Sequence, residues 1–317
     1  MRGHLLRRSV GSLRCASLHA CAEATPNIRL ICSDVDGTLL NRRHVTSERT
    51  TRTVLRAMSF VTFAACTGRG RVGAYTALGE VGTRLRQSEA PGVYLNGLIV
   101  YGHGGLLLRD MALPADVVRD AVAFASEQDV SVVGFSGDRS LCAKKCQWTQ
   151  VLADANDPDP EVCGDWSMIT AEHRLNKLLL LADAERVDEI RPKLLARLGD
   201  AASLTQATPT MLEVLPSGAS KGDGVALLAS HLEVEPAEIM ALGDAENDIG
   251  MLQLAGHSVA MGQAKEDVKA AAVHVTGTNV EDGAADAIER LFLEPRGVMR
   301  GGAYASYCGD GVAPIKK

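Results

Sequence analysis

Short apolar segments alternate with segments of helical periodicity at both ends of this 317-residue chain. Near the start, apolar runs at residues 28–32 and 60–66 flank a helical pattern at residues 46–58, and the same alternation returns between residues 221 and 293. Strands joined by crossover helices pair in parallel, and the helices then cover both faces of their sheet. The pattern therefore predicts an α/β fold whose core is a Rossmann-like parallel sheet with helices on both faces.

The middle of the chain does not continue this alternation. Residues 98–111 are typical of a β-hairpin, and the segment after it combines single helices with strands such as Lys177–Leu181. We therefore predict an α/β cap domain that is inserted into the core. The predicted segments are a leader or disordered extension at 1–27, the core at 28–112 and 211–294, the cap at 113–210 and a flexible tail at 295–317.

The first 22 residues differ in composition from the rest of the chain. They contain four arginines, three serines and no acidic residue. Such a leader resembles an organellar transit peptide, and it lacks the apolar core of a secretory signal. Two interpretations stay open. The leader directs the protein to a mitochondrion or plastid, or it is a disordered extension or misassigned start of a cytoplasmic protein.

Charge and apolar content exclude several classes of partner. The chain has a net charge of −6, no basic block and only 4% aromatic residues, which argues against a nucleic-acid partner. No apolar run approaches the roughly 20 residues that span a bilayer, so no membrane partner is expected. The eight cysteines include no C-x-x-C pair, which excludes a zinc ribbon and a thioredoxin motif. We expect a small-molecule substrate and a monomer or weak homo-oligomer.

Acidic residues follow two of the apolar strands directly. Asp34 and Asp36 come after the strand at residues 28–32, and Asp244 and Asp248 come after the strand at residues 239–242. Ligands of an open parallel sheet bind beyond the carboxyl ends of its strands. Carboxylates gathered there repel one another unless a divalent cation lies between them. Oxygen ligands without histidine or cysteine favour Mg²⁺ over zinc or copper.

Four segments in this order resemble the signatures of the haloacid dehalogenase-like phosphatases. They are Asp34-Val35-Asp36-Gly37-Thr38, Thr67-Gly68-Arg69, Lys221, and Gly243-Asp244 with Asn247-Asp248. The resemblance extends over about residues 28–293. Asn96-Gly97, residues 259–262 and Glu281-Asp282-Gly283 resemble the Cof-type subfamily, whose type IIB cap is inserted after the third strand. The family resemblance thus implies the same inserted cap as the pattern of elements.

The resemblance implies a phosphatase that works in two steps. Asp34 would be the nucleophile that forms an aspartyl-phosphate, and Asp36 would protonate the leaving alkoxide and then deprotonate the attacking water. The groups that would hold or neutralise the phosphoryl oxygens are the Thr67 hydroxyl, the Gly68 N–H, Lys221 and Asn247. The implied cofactor is Mg²⁺, held by Asp34, Asp244 and the backbone carbonyl of Asp36. Asp248 would orient Lys221 or a metal-bound water.

Several functions remain open at this point. The first is a Mg²⁺-dependent phosphatase of small phosphorylated metabolites, with sugar phosphates as the expected class. The alternatives are a phosphomutase that uses the same aspartyl-phosphate and needs a bisphosphate activator, and a non-catalytic phosphate-binding regulator. Residues 68–73 also match G-x-G-x-x-G, but the next strand ends in Asn96 and not in the acid that a dinucleotide site requires.

Overall fold

The computed structural model of the chain describes residues 27–154 and 156–298. The predicted leader, up to residue 26, and the predicted tail, from residue 299, lie outside the described residues. The strands are β1 (Leu30–Ser33), β2 (Thr62–Cys66), β3 (Gly92–Tyr94), β4 (Ile99–Tyr101), β5 (Leu107–Asp110), β6 (Ser131–Ser136), β7 (Arg139–Cys142), β8 (Glu161–Val162), β9 (Lys177–Leu181), β10 (Ala202–Thr208), β11 (Met211–Pro216), β12 (Ile239–Gly243), β13 (His257–Ala260) and β14 (His274–Val275).

The helices lie between these strands and at the end of the described chain. They are α1 (Glu48–Ala57), α2 (Arg71–Ala77), α3 (Glu80–Gln87), α4 (Ala115–Glu127), α5 (Gln147–Asp154), α6 (Trp166–Glu172), α7 (Ala184–Leu198), α8 (Lys221–His231), α9 (Ile249–Leu254), α10 (Glu266–Ala270) and α11 (Gly283–Ile288), which a π-helical segment, Glu289–Leu293, extends. Among the helices of the described residues, none combines the length and apolar character needed to cross a bilayer.

The first sheet has eight strands in the order β14-β13-β12-β1-β2-β3-β4-β5. The pairs from β14 to β3 are parallel, and β4 and β5 add an antiparallel edge. Strand β1 lies between β12 and β2, with Ile31 buried towards α1 and α11, and Leu30 buried towards α8 and α9. Burial on both faces explains why its sequence is a continuous apolar run. The predicted α/β fold with a parallel core is confirmed.

The second sheet is the cap sheet, and its order is β10-β11-β9-β6-β7-β8. Its pairs are antiparallel except for β7 with β8. In β9, Leu178 and Leu180 pack in one apolar cluster with residues of α4 and α7. The alternate residues Leu179 and Leu181 belong to the cluster that also contains residues of the first sheet. One face of the cap sheet is therefore covered by its own helices, and the other faces the core.

The cap extends one strand further along the chain than the sequence predicts. Residues 211–216 were assigned to the core, but β11 pairs with β9 and β10 in the cap sheet. Strand β10 is rich in serine, threonine and glutamine, so its sequence carries no apolar run that reveals the hairpin partner of β11. The long-range pairing with β9 is equally invisible in the sequence. The cap sheet therefore ends at Pro216, just before the third signature.

Candidate active site

The carboxyl ends of β1, β2 and β12 meet the first turn of α8. The N–H of Asp34, directly after β1, donates to the carbonyl of Leu242 on β12 at 2.9 Å, so the parallel ladder extends to the first aspartate. Lys221 is the first residue of α8, and the Ser220 side chain accepts a hydrogen bond from the N–H of Asp223 and caps the helix. These local features deliver an aspartate and a lysine to the same buried point.

Lys221 joins two of the predicted site carboxylates. Its ammonium group donates to Oδ1 of Asp34 at 2.7 Å and to Oδ1 of Asp248 at 2.6 Å. Its side chain is 1% exposed. Both carboxylates raise the pKa of Lys221 and outweigh the opposing effect of burial, so the lysine stays cationic. The other oxygen of Asp34, Oδ2, accepts no hydrogen bond within the described residues.

Asp248 uses both of its oxygens inside the protein. While Oδ1 binds Lys221, Oδ2 accepts the N–H groups of Asp244 at 2.9 Å and Ala245 at 3.0 Å. This carboxylate is completely buried. It therefore holds Lys221 and the loop after β12 in one arrangement. Its predicted role, orienting Lys221 or a metal-bound water, stays a prediction.

Asp244 packs against the turn that follows the first aspartates. Its Oδ1 accepts a hydrogen bond from the Thr38 hydroxyl at 3.0 Å, and Gln263 donates to the Gly37 carbonyl at 2.6 Å. Gly37 has a φ of +75°, and a Cβ there would lie 2.3 Å from Oδ2 of Asp244. Only glycine fits both the backbone conformation and the space, so this position is what lets the two acidic loops approach each other.

The site carries more negative than positive charge. Asp34, Asp244 and Asp248 offer oxygens that all lie within 4.8 Å of one another, against the single ammonium group of Lys221. Burial and then the charge of Asp248 raise the pKa of Asp244 to about 7. Burial raises the pKa of Asp34 as well, against the opposing charge of Lys221. When all three carboxylates are ionised, they and the one ammonium group leave an excess of two negative charges, which fits a hard divalent cation with oxygen ligands.

Asp36 forms an ion pair with Arg69, which the sequence analysis does not predict. Its two oxygens accept hydrogen bonds from Nε and Nη2 of Arg69, each at 2.6 Å, and Arg69 also binds Asp157 of the cap at 3.0 Å. Although burial raises the pKa of Asp36, the Arg69 hydrogen bonds and then His44 lower it far below its ordinary value. Asp36 is therefore ionised in this arrangement, as a proton acceptor must be.

The predicted phosphate-binding groups lie on two neighbouring loops. The Thr67 hydroxyl oxygen accepts the N–H of Arg69 at 3.1 Å, so the hydroxyl hydrogen is the part that can reach a ligand. The Asn247 side chain donates to Oδ1 of Asn96 at 2.9 Å. Its own Oδ1 is buried and accepts no hydrogen bond within the described part of the chain. The structure thus brings the signature loops together, and the roles of Thr67, Gly68 and Asn247 stay predictions.

Sequence reasoning missed four residues that shape this site. In the sequence, Arg69 is only the last residue of the second signature, and Gln263 only follows the Cof-type segment at residues 259–262. Lys177 and Glu213 have no predicted role in the site. Lys177 begins the apolar strand β9 and Glu213 lies inside the apolar strand β11, which is a signal that the sequence alone offers. The partner of Arg69 could not be read from the sequence, because the two side chains come from separate loops.

Comparisons with known proteins point in one direction. A sequence profile of haloacid dehalogenase-like hydrolases matches residues 31–288. The chain is 36% identical to the endoribonuclease YBEY, chloroplastic, of Arabidopsis thaliana over 278 aligned residues, and this alignment covers 84% of the chain. The chain spans only 47% of that relative's length.

Two other relatives match over most of their length. The HMP-PP phosphatase of Cronobacter sakazakii is 30% identical over 257 residues, which cover 78% of this chain and 89% of that protein. A solved haloacid dehalogenase-like hydrolase from Bacteroides thetaiotaomicron has a TM-score of 0.73 at 28% identity, covering 84% of this chain and all of that one. With its parallel core, inserted cap sheet and signature loops, the chain belongs to the haloacid dehalogenase-like hydrolase family, as a phosphatase of the Cof type.

Proposed function

We propose that this protein is a Mg²⁺-dependent phosphatase that hydrolyses small phosphorylated metabolites, with sugar phosphates as the expected class, through an aspartyl-phosphate on Asp34. The observation that carries the proposal is the state of the Asp34 carboxylate. Lys221 binds one of its oxygens at 2.7 Å, and the other has no partner among the described residues. A carboxylate that is oriented by one oxygen and open at the other is suited to attack phosphorus.

In the first step, an oxygen of Asp34 forms a bond to phosphorus while the bond from phosphorus to the leaving alkoxide breaks. The Thr67 hydroxyl and the Gly68 N–H hold phosphoryl oxygens, and Lys221 offsets their negative charge. The alkoxide takes a proton from the carboxyl group at position 36. Because Arg69 holds Asp36 ionised in the present arrangement, this proton transfer requires that the contact with Arg69 loosens when substrate binds and that Asp36 takes up a proton from solvent. The second step returns this proton to Asp36.

In the second step, a water attacks phosphorus, the bond to Asp34 breaks, and Asp36 accepts the proton of the water. Asp36 must be ionised for this step, and its contact with Arg69 must loosen here too, because a carboxylate whose pKa is held far below its ordinary value is a weak base. Replacing one slow displacement by two faster ones is the physical advantage of the covalent route. An acid/base at position 36 favours release of phosphate to water, which is the outcome expected of a phosphatase.

The residues at the site fit Mg²⁺. Asp34 and Asp244, with the backbone carbonyl of Asp36, would hold it, because Asp248 already uses both oxygens on Lys221 and the loop after β12. When bound, the cation supplies positive charge that lowers the repulsion between the Asp34 carboxylate and a phosphate dianion. The residues of the chain orient the phosphoryl group, exclude water from the site and transfer the protons.

The assay that tests the proposed function measures hydrolysis of p-nitrophenyl phosphate and of a panel of phosphorylated metabolites, with Mg²⁺ and with a chelator. We expect hydrolysis that needs Mg²⁺ and no bisphosphate activator. Activity that appears only with a bisphosphate would indicate a phosphomutase. No turnover of any compound, together with phosphate binding, would indicate a regulator.

Asp244→Asn is expected to change activity and stability in opposite directions. Above pH ~7 the metal-free protein carries a destabilising charge at Asp244, because burial holds the pKa of the folded state near 7 while the unfolded chain titrates near its ordinary value. The asparagine removes this charge and replaces a carboxylate ligand by a weaker, neutral amide oxygen. We expect activity to fall by at least roughly 10²-fold while the melting temperature of the metal-free protein at about pH 8 rises by a few degrees.

The same reasoning gives the pH dependence of the wild type. Without metal, the stability contributed by protonated Asp244 is present at low pH and is lost as pH rises through about 7. Mg²⁺ should therefore raise the melting temperature more at about pH 8 than at about pH 5. Thermal unfolding with Mg²⁺ and with chelator measures this. The exposed Asp120→Asn is the control and should change nothing, whereas an equal Mg²⁺ effect at both pH values would contradict the ligand role.

We propose that residues 1–22 act outside catalysis and direct the protein to an organelle. Their arginine-rich, acid-free composition supports this, and the Arabidopsis relative is named as chloroplastic. Deleting them is expected to leave kcat and KM unchanged and to alter the location of a fluorescent fusion in cells. A truncated protein that fails to fold, or that differs in kcat, would show that these residues belong to the catalytic unit.

A further inference from the structure

Two buried charged residues on the core-facing side of the cap sheet lie against a signature loop. Lys177 on β9 is 3% exposed and Glu213 on β11 is 4% exposed. Successive side chains of a strand point to opposite faces of the sheet. Lys177 and Glu213 therefore lie on the face opposite to their neighbours Leu178 and Val214, which pack against the cap helices. Since buried charges are costly unless they are paired, this pair in two apolar strands calls for a functional explanation.

Lys177 contacts the loop that follows β2. Its ammonium group forms an ion pair with Glu213, lies 4.7 Å from the centre of the Phe135 ring, and donates to the carbonyl of Gly68 at 2.8 Å. Oε2 of Glu213 also accepts a hydrogen bond from Asn96 at 2.8 Å. The pair is therefore a polar connection from the cap to two loops of the core.

Three consecutive carbonyls of the second signature are held in this way. The N–H of Asn96 donates to the carbonyl of Thr67 at 3.0 Å, and the N–H of Leu95 donates to the carbonyl of Arg69 at 3.0 Å. The carbonyl between them, of Gly68, is held by Lys177. The core supplies the two outer contacts, and the cap supplies the central one.

Holding a carbonyl fixes the N–H of the same planar peptide on its opposite side. The Gly68 carbonyl shares its peptide with the N–H of Arg69, which donates to the Thr67 hydroxyl oxygen at 3.1 Å. Fixing this peptide therefore leaves the Thr67 hydroxyl hydrogen as the group that can donate to a phosphoryl oxygen. Lys177 thus sets the direction of a hydrogen bond donor that it does not touch.

The connection continues to the fourth signature. Asn96 donates to Glu213 and accepts a hydrogen bond from Asn247 at 2.9 Å. A single chain of polar contacts therefore runs from the cap through Glu213 and Asn96 to Asn247. The contact of Asn96 with Glu213 depends on the position of the cap sheet relative to the core, and the contact of Asn96 with Asn247 lies within the core.

We propose that Lys177 and Glu213 are positioning residues through which the cap sets the phosphate-binding loops: Lys177 fixes the Gly68–Arg69 peptide, and Glu213 fixes Asn96 and, through it, Asn247. The inference rests on the proposed function, because it assigns a purpose to loops that bind phosphate there. If Lys177 and Glu213 act in this way, residues of the cap determine how tightly the core binds the phosphoryl group, and this effect is the same for every leaving group.

Inorganic phosphate is the probe that separates positioning from direct contact with the substrate. It occupies the phosphoryl position and has no leaving group. We measure its competitive inhibition constant for the Mg²⁺-loaded wild type and for Lys177→Met and Glu213→Gln. We expect the constant to rise roughly 10-fold in both variants, the effect of losing one hydrogen bond to a charged group. The value of kcat/KM should fall by a similar factor for p-nitrophenyl phosphate and for a sugar phosphate.

Arg174→Met is the matched control. Arg174 forms a different ion pair between cap and core, with Asp110 at 2.7 Å, and it does not contact the signature loops. Its variant should leave phosphate inhibition unchanged. If Lys177→Met and Glu213→Gln also leave it unchanged, the proposal is overturned. A loss confined to KM for the sugar phosphate would then assign them to the leaving group instead.

A third variant covers the case in which a buried unpaired charge prevents folding. Asn96→Gly leaves the Lys177–Glu213 pair intact, and glycine accepts the φ of +58° that Asn96 adopts. It is expected to weaken phosphate inhibition, and unchanged inhibition overturns the proposal. A wild type without Mg²⁺-dependent hydrolysis overturns the proposed function together with this inference, whereas an active wild type with unaffected variants overturns the inference alone.

Discussion

Asp34→Asn is expected to lower steady-state hydrolysis by more than about 10⁴-fold and to leave the fold intact. The amide oxygen of asparagine is a weak nucleophile and its nitrogen carries no available lone pair, so no covalent intermediate forms. Lys221 keeps Asp248 as its buried partner, so the replacement does not leave the lysine unpaired. Loss of one carboxylate from an acidic cluster also removes repulsion, so the melting temperature should stay constant or rise.

The measurement combines steady-state kinetics with acid-quench detection of phosphoenzyme. Wild type should yield a phosphoenzyme that is stable in acid, and Asp34→Asn should yield none. The exposed Asp120→Asn is the matched control, since it makes the same chemical change away from the site. Phosphoenzyme in the Asp34 variant, or hydrolysis within tenfold of wild type, would place the nucleophile elsewhere.

The parts of the site that could be predicted from sequence rest on local signals. Strand β1 is buried on both faces, so its apolar run identified it, and the acids at its end follow directly. The helix α1 lies within the helical pattern predicted at residues 46–58, and the Ser47 side chain caps it by accepting the N–H of Thr50 at 2.9 Å. Because parallel strands end at the same edge, the approach of Asp34 to Asp244 follows from topology once the strands are known.

The parts that could not be predicted depend on contacts between distant segments. The pairing of Asp36 with Arg69 requires the actual directions of two loops, and no spacing rule supplies them. The hairpin partner of β11 was missed because β10 is polar, and the boundary of the cap was placed one strand too early as a result. Lys177 and Glu213 carry a visible signal, a charged residue at the start of one apolar strand and inside another, but the strand register decides what they contact.

Asp36→Asn is expected to slow turnover by about 10²–10⁴-fold, the range for loss of a general acid or base. The asparagine keeps one acceptor oxygen for Arg69 and turns its NH2 group towards the other Arg69 donor, while Arg69 keeps its ion pair with Asp157. The backbone carbonyl at position 36, a proposed Mg²⁺ ligand, is unchanged. The Mg²⁺ dependence should therefore change less than in Asp244→Asn. What the variant loses is a group that gives and takes a proton.

Asp36→Asn should slow formation and breakdown of the aspartyl-phosphate by different factors, and a comparison of two leaving groups distinguishes the two steps. p-Nitrophenolate leaves without a proton, whereas a sugar alkoxide needs one. Formation of the aspartyl-phosphate in Asp36→Asn should therefore be slowed much more with a sugar phosphate than with p-nitrophenyl phosphate. Breakdown has the same intermediate and the same water in both cases, so it should be slowed equally.

Burst kinetics make this difference visible. With p-nitrophenyl phosphate, Asp36→Asn should release one equivalent of p-nitrophenolate rapidly and then turn over slowly, because the phosphoenzyme forms readily and is hydrolysed slowly. The double variant Asp34→Asn/Asp36→Asn is the control and should show no burst. The burst follows from the leaving groups: p-nitrophenolate leaves without a proton, whereas the attacking water of the second step must give one to Asp36 once its contact with Arg69 has loosened. A variant that is slow from the first turnover, equally with both leaving groups, would remove Asp36 from both proton transfers and leave it the structural task of anchoring Arg69 and, through Asp157, the cap.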